Sequence, residues 1–173
     1  MTTGQIGVEP QLLSPRLCLV PIGAGAVRLQ ATDPHRFFAG LGAAVPAQWP
    51  PLPFDLDVVG TIAGALDRSP DLAPWYEWVF LTRGAPDELA QVVGAGGFTG
   101  PPDLDGEVEL GFGILSEQGG RGYASEAVTT LVGWALHQPE CERVVCHTLA
   151  DLESGARALA KMGFRPDGRG PYP

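Results

Sequence analysis

A glycine-rich loop between a strand pattern and a helix pattern carries the residues best suited to hold a phosphate group. Gly119, Gly120 and Gly122 let the backbone approach a bulky anion closely. A loop that enters a helix presents unpaired N–H groups, and the helix dipole favours negative charge there. Arg121, inside the loop, is the natural side-chain partner for a phosphate. The segment therefore predicts an anion site.

Particular residues disfavour two common nucleotide-binding loops. A P-loop requires lysine and then serine or threonine after its last glycine, whereas Tyr123 follows Gly122 here. A dinucleotide-binding fingerprint requires a third glycine at the position of Ser116, after Gly111 and Gly113. The pattern thus points away from nucleoside triphosphates and dinucleotides.

The composition fits one domain over residues 1–173 and narrows the classes of partner. The formal net charge of −9 argues against general nucleic-acid binding, because such binding requires a basic surface. No apolar run is long enough to cross a bilayer, and the first residues lack a signal-peptide pattern. Cys18, Cys141 and Cys146 form no Cys-x-x-Cys motif. We therefore expect a reduced, cytoplasmic protein that binds neither nucleic acid nor membrane.

The first half of the chain predicts a strand and several helices. The expected segments are a loose arm over 1–14, a strand over 16–22, short helices within 24–44 and a helix over 57–66. Asp33 and Pro34 suit a helix start, as cap and first residue. Prolines make residues 47–53 a stiff loop, and an exposed Trp49 in that loop is a candidate pocket residue.

The second half predicts a mixed α/β arrangement around the glycine loop. The expected elements are strands over 75–81, 90–98, 107–115 and 143–149, helices over 124–136 and 154–162, and a further strand beginning at Phe164. The helix after the loop has the clearest amphipathic spacing in the chain. Glu107 and Glu109 are two residues apart, so they share one face of the strand before the loop.

Residues 109–127 and 147–164 together resemble the GNAT superfamily of acyl-CoA-dependent N-acetyltransferases. The closest likeness is to the branch that includes ribosomal-protein N-terminal acetyltransferases. The family loop reads Gln/Arg-x-x-Gly-x-Gly/Ala, and residues 119–124 read Gly-Gly-Arg-Gly-Tyr-Ala. The resemblance is strong over 107–164 and faint over 1–74.

The resemblance implies a fold, a cofactor and the residues that contact it. The fold is an α/β (α+β) domain with a mixed, mostly antiparallel sheet that splays at the acyl-CoA site and is flanked by helices. Backbone amides of the loop would hold the pyrophosphate of acetyl-CoA, and the pantetheine arm would pair with the preceding strand. No metal is implied. The expected cofactor contacts are Phe112, Gly113, Ile114, Leu115, Gln118, Gly119, Gly120, Arg121, Gly122, Tyr123 and Ala124.

The resemblance also implies acetyl transfer to a primary amine by direct attack in a ternary complex. Glu109 matches the family's acidic residue, which deprotonates the amine through water, and Glu107 is the alternative. A structural reading of either carboxylate, as a solvated strand residue or ion-pair partner, stays open, and His147 is read as structural. The acceptor is a small amine or a peptide N-terminus, with Trp49 in its pocket.

Three departures from the family pattern keep other functions open. Gly119 replaces the usual Gln or Arg, for which Gln118 could compensate. Leu152 and Gly155 stand where the branch has Asn and Ser, so no general acid is visible. The last pair of strands is missing from the pattern. This leaves an open sheet edge, an edge completed by another chain as in a homodimer, or a sequence that is cut short. The alternatives are a non-catalytic CoA-binding module and a structural, oligomer-forming domain.

Overall fold

The computed structural model describes residues 6–51, 57–85, 87–147 and 153–168. The strands are β1 (Leu12–Leu13), β2 (Leu17–Pro21), β3 (Glu77–Thr82), β4 (Val92–Phe98), β5 (Glu107–Ile114) and β6 (Arg143–Val145). The helices are α1 (Ala24–Thr32), α2 (Pro34–Gly40), α3 (Val59–Arg68), α4 (Tyr123–Leu136) and α5 (Glu153–Lys161). Short 3-10 turns at Pro70–Trp75 and Ser116–Gln118 precede β3 and α4.

The described strands form one mixed sheet in the order β1-β2-β3-β4-β5-β6. Neighbouring strands from β1 to β5 are antiparallel, whereas β5 and β6 are parallel. The parallel pair is joined through α4, as a parallel connection requires a crossover. The predicted mixed, mostly antiparallel sheet with flanking helices is confirmed.

Alternation along β3 separates the core into two layers. Val79 and Leu81 belong to a buried cluster with side chains of α1, α2 and α3. Trp78 and Phe80 belong to a second buried cluster with side chains of α4. Successive strand residues point to opposite faces, so one strand supplies both layers. The sheet is therefore covered by α1, α2 and α3 on one face and by α4 on the other.

The prediction of a loose arm over residues 1–14 is wrong for residues 6–14. Ile6 is buried in the core, and the backbone N–H of Val8 donates to the carbonyl of Pro21 at 2.9 Å. Leu12 and Leu13 pair with β2. A two-residue strand has too little length to show an alternating pattern, which is why the polar composition of this segment misled the prediction.

Several predicted strands have different bounds in the structure, and the strand expected over 143–149 ends at Val145 among the described residues. The strand expected from residue 75 begins at Glu77, because the preceding residues form a 3-10 turn in which the Trp78 Nε1 donates to the Pro74 carbonyl at 2.8 Å. Phe164 does not begin a strand: its N–H donates to the Leu159 carbonyl at 3.0 Å and so closes the end of α5.

Gly97 in β4 offers a test of the sheet geometry. Its φ is +152°, and a Cβ there would lie 1.7 Å from the Tyr76 carbonyl oxygen. We expect Gly97→Ala to lower the free energy of unfolding by at least about 2 kcal/mol, from strain and steric overlap. The measurement is chemical denaturation at neutral pH.

Gly133→Ala in α4 is the matched control for that substitution. A Cβ at Gly133 would meet nothing within 4 Å. Alanine is the better helix former, so this change should raise the free energy of unfolding by about 0.5–1 kcal/mol. Equal effects of the two substitutions would contradict the described geometry of β4.

Candidate active site

Within the part of the chain that the structure describes, the pairing between β5 and β6 covers only the first residues of β5. The paired residues are Glu107 with Arg143, Val108 with Val144, and Glu109 with Val145. Beyond Glu109, β5 continues to Ile114 and keeps its pairing with β4. The described part of the sheet therefore opens along one edge of β5, on the side away from β4. Backbone N–H and C=O groups on such an edge are ready to pair with an extended ligand.

The glycine loop lies at the end of this same strand. Gly120 and Gly122 have φ values of +73° and +79°, in the left-handed region that favours glycine. Gly122 is the N-cap of α4, and no side chain caps the helix. Residues 119–122 are exposed. The first amides of a fourteen-residue helix are thus not taken up by a side-chain cap, which is the arrangement an anion site requires.

Glu126, in the first turn of α4, is turned toward the start of β2. Its Oε1 accepts from the Ser14 Oγ at 2.6 Å and from the Arg16 backbone N–H at 2.7 Å. Its Oε2 accepts from the Arg16 Nε at 2.7 Å. Partial burial raises the pKa of Glu126, but these hydrogen bonds outweigh it and hold the pKa below its ordinary value. The carboxylate therefore ties the N-terminal segment to the helix.

Arg16 also contacts the glycine loop directly. Its Nη1 donates to the Arg121 carbonyl at 2.8 Å, and its guanidinium lies 4.7 Å from the centroid of the Tyr123 ring. The Arg121 side chain is exposed. The structure thus places two guanidinium groups at the loop. Sequence reasoning missed Arg16, because nothing local in the sequence links it to a loop 105 positions away.

The side chains of the predicted cofactor contacts at the end of β5 pack into different parts of the core. The side chains of Phe112 and Ile114 pack in the cluster beneath α4, and Leu115 is buried in the opposite cluster. Gly113 has no side chain. It is therefore the backbone of this strand that borders the opening. Gln118 directs its Nε2 toward the Gln91 Oε1 at 3.5 Å.

The two candidate carboxylates have different surroundings. Glu107 forms an ion pair with Arg143, in which Nε donates to Oε2 at 2.7 Å. Glu109 lies where the strands part, with its Oε1 4.0 Å from the His147 Nε2. Burial, and secondarily Glu109, raise the pKa of the neighbouring Cys146 to about 11. Glu109 is thus a carboxylate at the mouth of the opening.

Trp49 is half-buried against α2. Its ring lies 5.3 Å from that of Phe38, and its Nε1 donates to the Gln30 Oε1 at 3.0 Å. The Gln30 Nε2 donates to the Glu77 Oε2 at 2.8 Å. Burial raises the pKa of Glu77 to about 7, although the hydrogen bond from Gln30 lowers it in part. Sequence reasoning treated Glu77 as an ordinary strand residue.

Some predictions concern residues outside the described part of the chain. Leu152 lies there, and Gly155 lies within α5. Among the described residues, no cluster of three or more His, Cys, Asp or Glu side chains is arranged to hold a metal ion. Of the helices in that part, none has the length and hydropathy needed to cross a bilayer.

Residues 25–165 match the model of the acetyltransferase (GNAT) domain. The chain belongs to the GNAT family. The uncharacterised N-acetyltransferase YjdG of Bacillus subtilis is 25% identical over 149 residues, which are 86% of this chain and 86% of the relative. The predicted family is confirmed, and the chain is an acetyltransferase of a family that uses acetyl-CoA as co-substrate.

Solved structures with a similar fold come from several bacteria. The ribosomal-protein-S5-alanine acetyltransferase of Vibrio fischeri has a TM-score of 0.59 at 13% identity, covering 92% of this chain and 85% of that chain. An acetyltransferase of Agrobacterium tumefaciens has a TM-score of 0.58 at 22% identity, covering 95% of this chain and 88% of that chain. These neighbours show that the fold is shared, including with the ribosomal-protein branch.

A substitution of Glu126 tests whether its hydrogen bonds with Ser14 and Arg16 stabilise the start of α4. We expect Glu126→Gln to lower the free energy of unfolding at pH 7 by on the order of 1–2 kcal/mol, because charge-assisted hydrogen bonds are weakened. The contribution is complete above the ordinary pKa of about 4.5 and is lost as pH falls through the lower pKa of the folded state. Thermal unfolding across pH 3–8 measures the difference.

The exposed Glu88 provides the control for this series. Glu88→Gln should leave stability within about 0.5 kcal/mol of the parent protein at each pH. A Glu126→Gln difference that stays constant or grows toward pH 3 would contradict the described contacts.

Proposed function

We propose that this acetyltransferase moves acetyl from acetyl-CoA to a primary amine by direct attack in a ternary complex. The observation that carries the proposal is that two features suited to coenzyme A lie on one strand, β5. The described part of the sheet opens beside β5 after Glu109, and the same strand leads into the exposed glycine loop before α4. A ligand with an extended arm and a phosphate group fits both features at once.

The loop and β5 would hold coenzyme A by different means. Backbone amides of residues 119–124 would bind the pyrophosphate at the N-terminus of α4. Backbone groups of residues 112–115 would pair with the pantetheine arm along the edge of β5. Arg121 is the proposed phosphate ligand, and Arg16, which contacts the loop at the Arg121 carbonyl, adds a second guanidinium. Gln118 and Tyr123 would contribute to the walls of this site.

The chemistry then needs few groups from the protein. The amine nitrogen attacks the thioester carbonyl carbon, a C–N bond forms, and the C–S bond breaks to release the thiolate. Glu109 would accept a proton from the nitrogen through a water molecule, since it lies where the strands part. A thiol of ordinary pKa near 8.5 leaves readily as a thiolate, so transfer can proceed without a dedicated general acid.

The acceptor is proposed to be a small amine or a peptide N-terminus, and the reaction is proposed to take place in the cytoplasm. The net charge of −9 favours a cationic acceptor and disfavours nucleic acid. Glu107, which forms an ion pair with Arg143, is the alternative base. Trp49 is proposed to border the acceptor pocket. We also propose that the protein forms a homodimer and does not bind membranes.

A thiol-release assay tests the proposed reaction. Acetyl-CoA is mixed with ethanolamine, 1,4-diaminobutane, or tetrapeptides beginning with Ala or Ser. We expect thiol release with at least one of these amines, and Glu109→Gln should lower kcat/KM by about 100-fold or more. Calorimetry should find the acetyl-CoA affinity of Glu109→Gln unchanged within about twofold. Binding of acetyl-CoA without thiol release would favour the non-catalytic module, and absence of binding would favour the structural domain.

Arg121→Ala tests the phosphate contact. Loss of an exposed charge-assisted contact should weaken acetyl-CoA binding by about 5–10-fold. Arg36→Ala, on the exposed side of α2, should leave the affinity unchanged. Calorimetry at low and high salt measures both variants. Equal affinities for Arg121→Ala and the parent protein would remove Arg121 from the cofactor site.

A further inference from the structure

Glu77 is a half-buried carboxyl group that the proposed chemistry has not used. It is the first residue of β3, and one of its oxygens accepts from Gln30 at 2.8 Å. Gln30 is 2% exposed and in turn accepts from the Trp49 indole at 3.0 Å. The three side chains form a hydrogen-bonded chain from the loop through α1 to the sheet. Such a chain holds the carboxyl in one orientation.

The strand register places Glu77 on the same face of the sheet as Glu109. Glu77 pairs with Gly97, and Gly97 pairs with Gly111. Gly111 is two residues beyond Glu109 and therefore shares its face. Two strand spacings put the Glu77 α-carbon roughly 10 Å from that of Gly111. Both positions in between are glycines, so no side chain of this row separates Glu77 from the opening beside β5.

No cation among the described residues forms an ion pair with Glu77. Of the described elements packed on this face, α1 offers the neutral Gln30, and β5 offers the negative Glu109 beyond the two glycines. The cation on α1, Arg28, is exposed and paired with Asp67 of α3. Burial accordingly raises the pKa of Glu77 to about 7.

This carboxyl lowers stability at neutral pH. Because the folded pKa is raised, the folded state binds more protons than the unfolded state between about pH 4.5 and 7, and stability falls across that range as pH rises. A neutral amide at the same place would avoid this loss. Groups that cost stability in this way concentrate at functional sites.

We propose that Glu77 is a second proton acceptor of the acetyl transfer, serving the amine as it arrives from the face covered by α1, α2 and α3. The inference rests on the proposed function. The amine would contact the Glu77 carboxylate directly or through one water molecule. It would lie above Gly97 and Gly111, where no side chain fills the face of the sheet. In this arrangement Glu109 lies beside the thioester, and Glu77 lies on the side from which the amine arrives.

The proton balance gives each carboxylate one task. The acceptor enters as an ammonium group, and its nitrogen must lose two protons before it becomes an amide. Glu77 takes the first proton and leaves a neutral amine, which attacks the thioester carbon. Glu109 takes the second from the tetrahedral intermediate as the C–S bond breaks. The departing thiolate is protonated by water, and both carboxyls return their protons to solvent.

The pH dependence of kcat/KM tests this assignment with the most active amine of the thiol-release panel. Below about pH 7 we expect kcat/KM of the parent protein to lose an additional tenfold per pH unit, as Glu77 becomes protonated. In Glu77→Gln this additional loss should be absent, and kcat/KM at pH 8 should be about 100-fold lower. Glu77→Asp should retain the additional loss. Glu109→Gln should lower kcat/KM but retain the additional loss below about pH 7.

Controls separate a catalytic role from a structural one. Glu88→Gln, an exposed carboxylate change, should leave rate and pH profile unchanged. Circular dichroism should show Glu77→Gln folded, with a higher melting temperature than the parent protein at pH 8. A pH profile of Glu77→Gln that matches the parent protein would overturn the inference while leaving the proposed function intact. Absence of thiol release by the parent protein with every amine would overturn both.

Discussion

The end of pairing between β5 and β6 is the constraint on which the candidate site depends. Two parallel strands that stay paired bury each other's backbone groups, whereas strands that part leave an edge for another partner. Among the described residues, this pairing ends at Glu109 and Val145, although β5 runs on to Ile114. The opening therefore lies between a carboxylate at its mouth and the glycine loop at the far end of the strand. Acetyl-CoA has an extended arm and a pyrophosphate that suit this order.

Contacts distant in sequence hold the glycine-loop end of this opening. Glu126 binds Ser14 and Arg16, which fixes the first turn of α4 against the start of β2. The same arginine contacts the backbone of the loop. On the opposite face of the sheet, Gln30 joins α1 to Glu77 of β3. The helix layers thus position charged groups as well as covering the core.

Local patterns predicted much of the fold, including the glycine loop before α4, and long-range contacts account for what they missed. The apolar spacing of α4 and the glycines before it are local signals, so the helix and loop were predictable within a few residues. The clamp between Arg16 and Glu126 joins residues 110 positions apart and leaves no periodic trace. Similarly, Glu77 looks like any strand-end carboxylate until its hydrogen bond with Gln30, 47 positions away, is known.

Hydrogen–deuterium exchange with and without acetyl-CoA tests the central claim most directly, because it reports backbone amides along the whole chain. If the cofactor lies on the edge of β5 with its phosphates at the loop, protection should appear in residues 112–125 and be small in α1, α2 and α3. Acetyl-CoA at saturating concentration that protects other segments and leaves residues 112–125 unchanged would contradict the account.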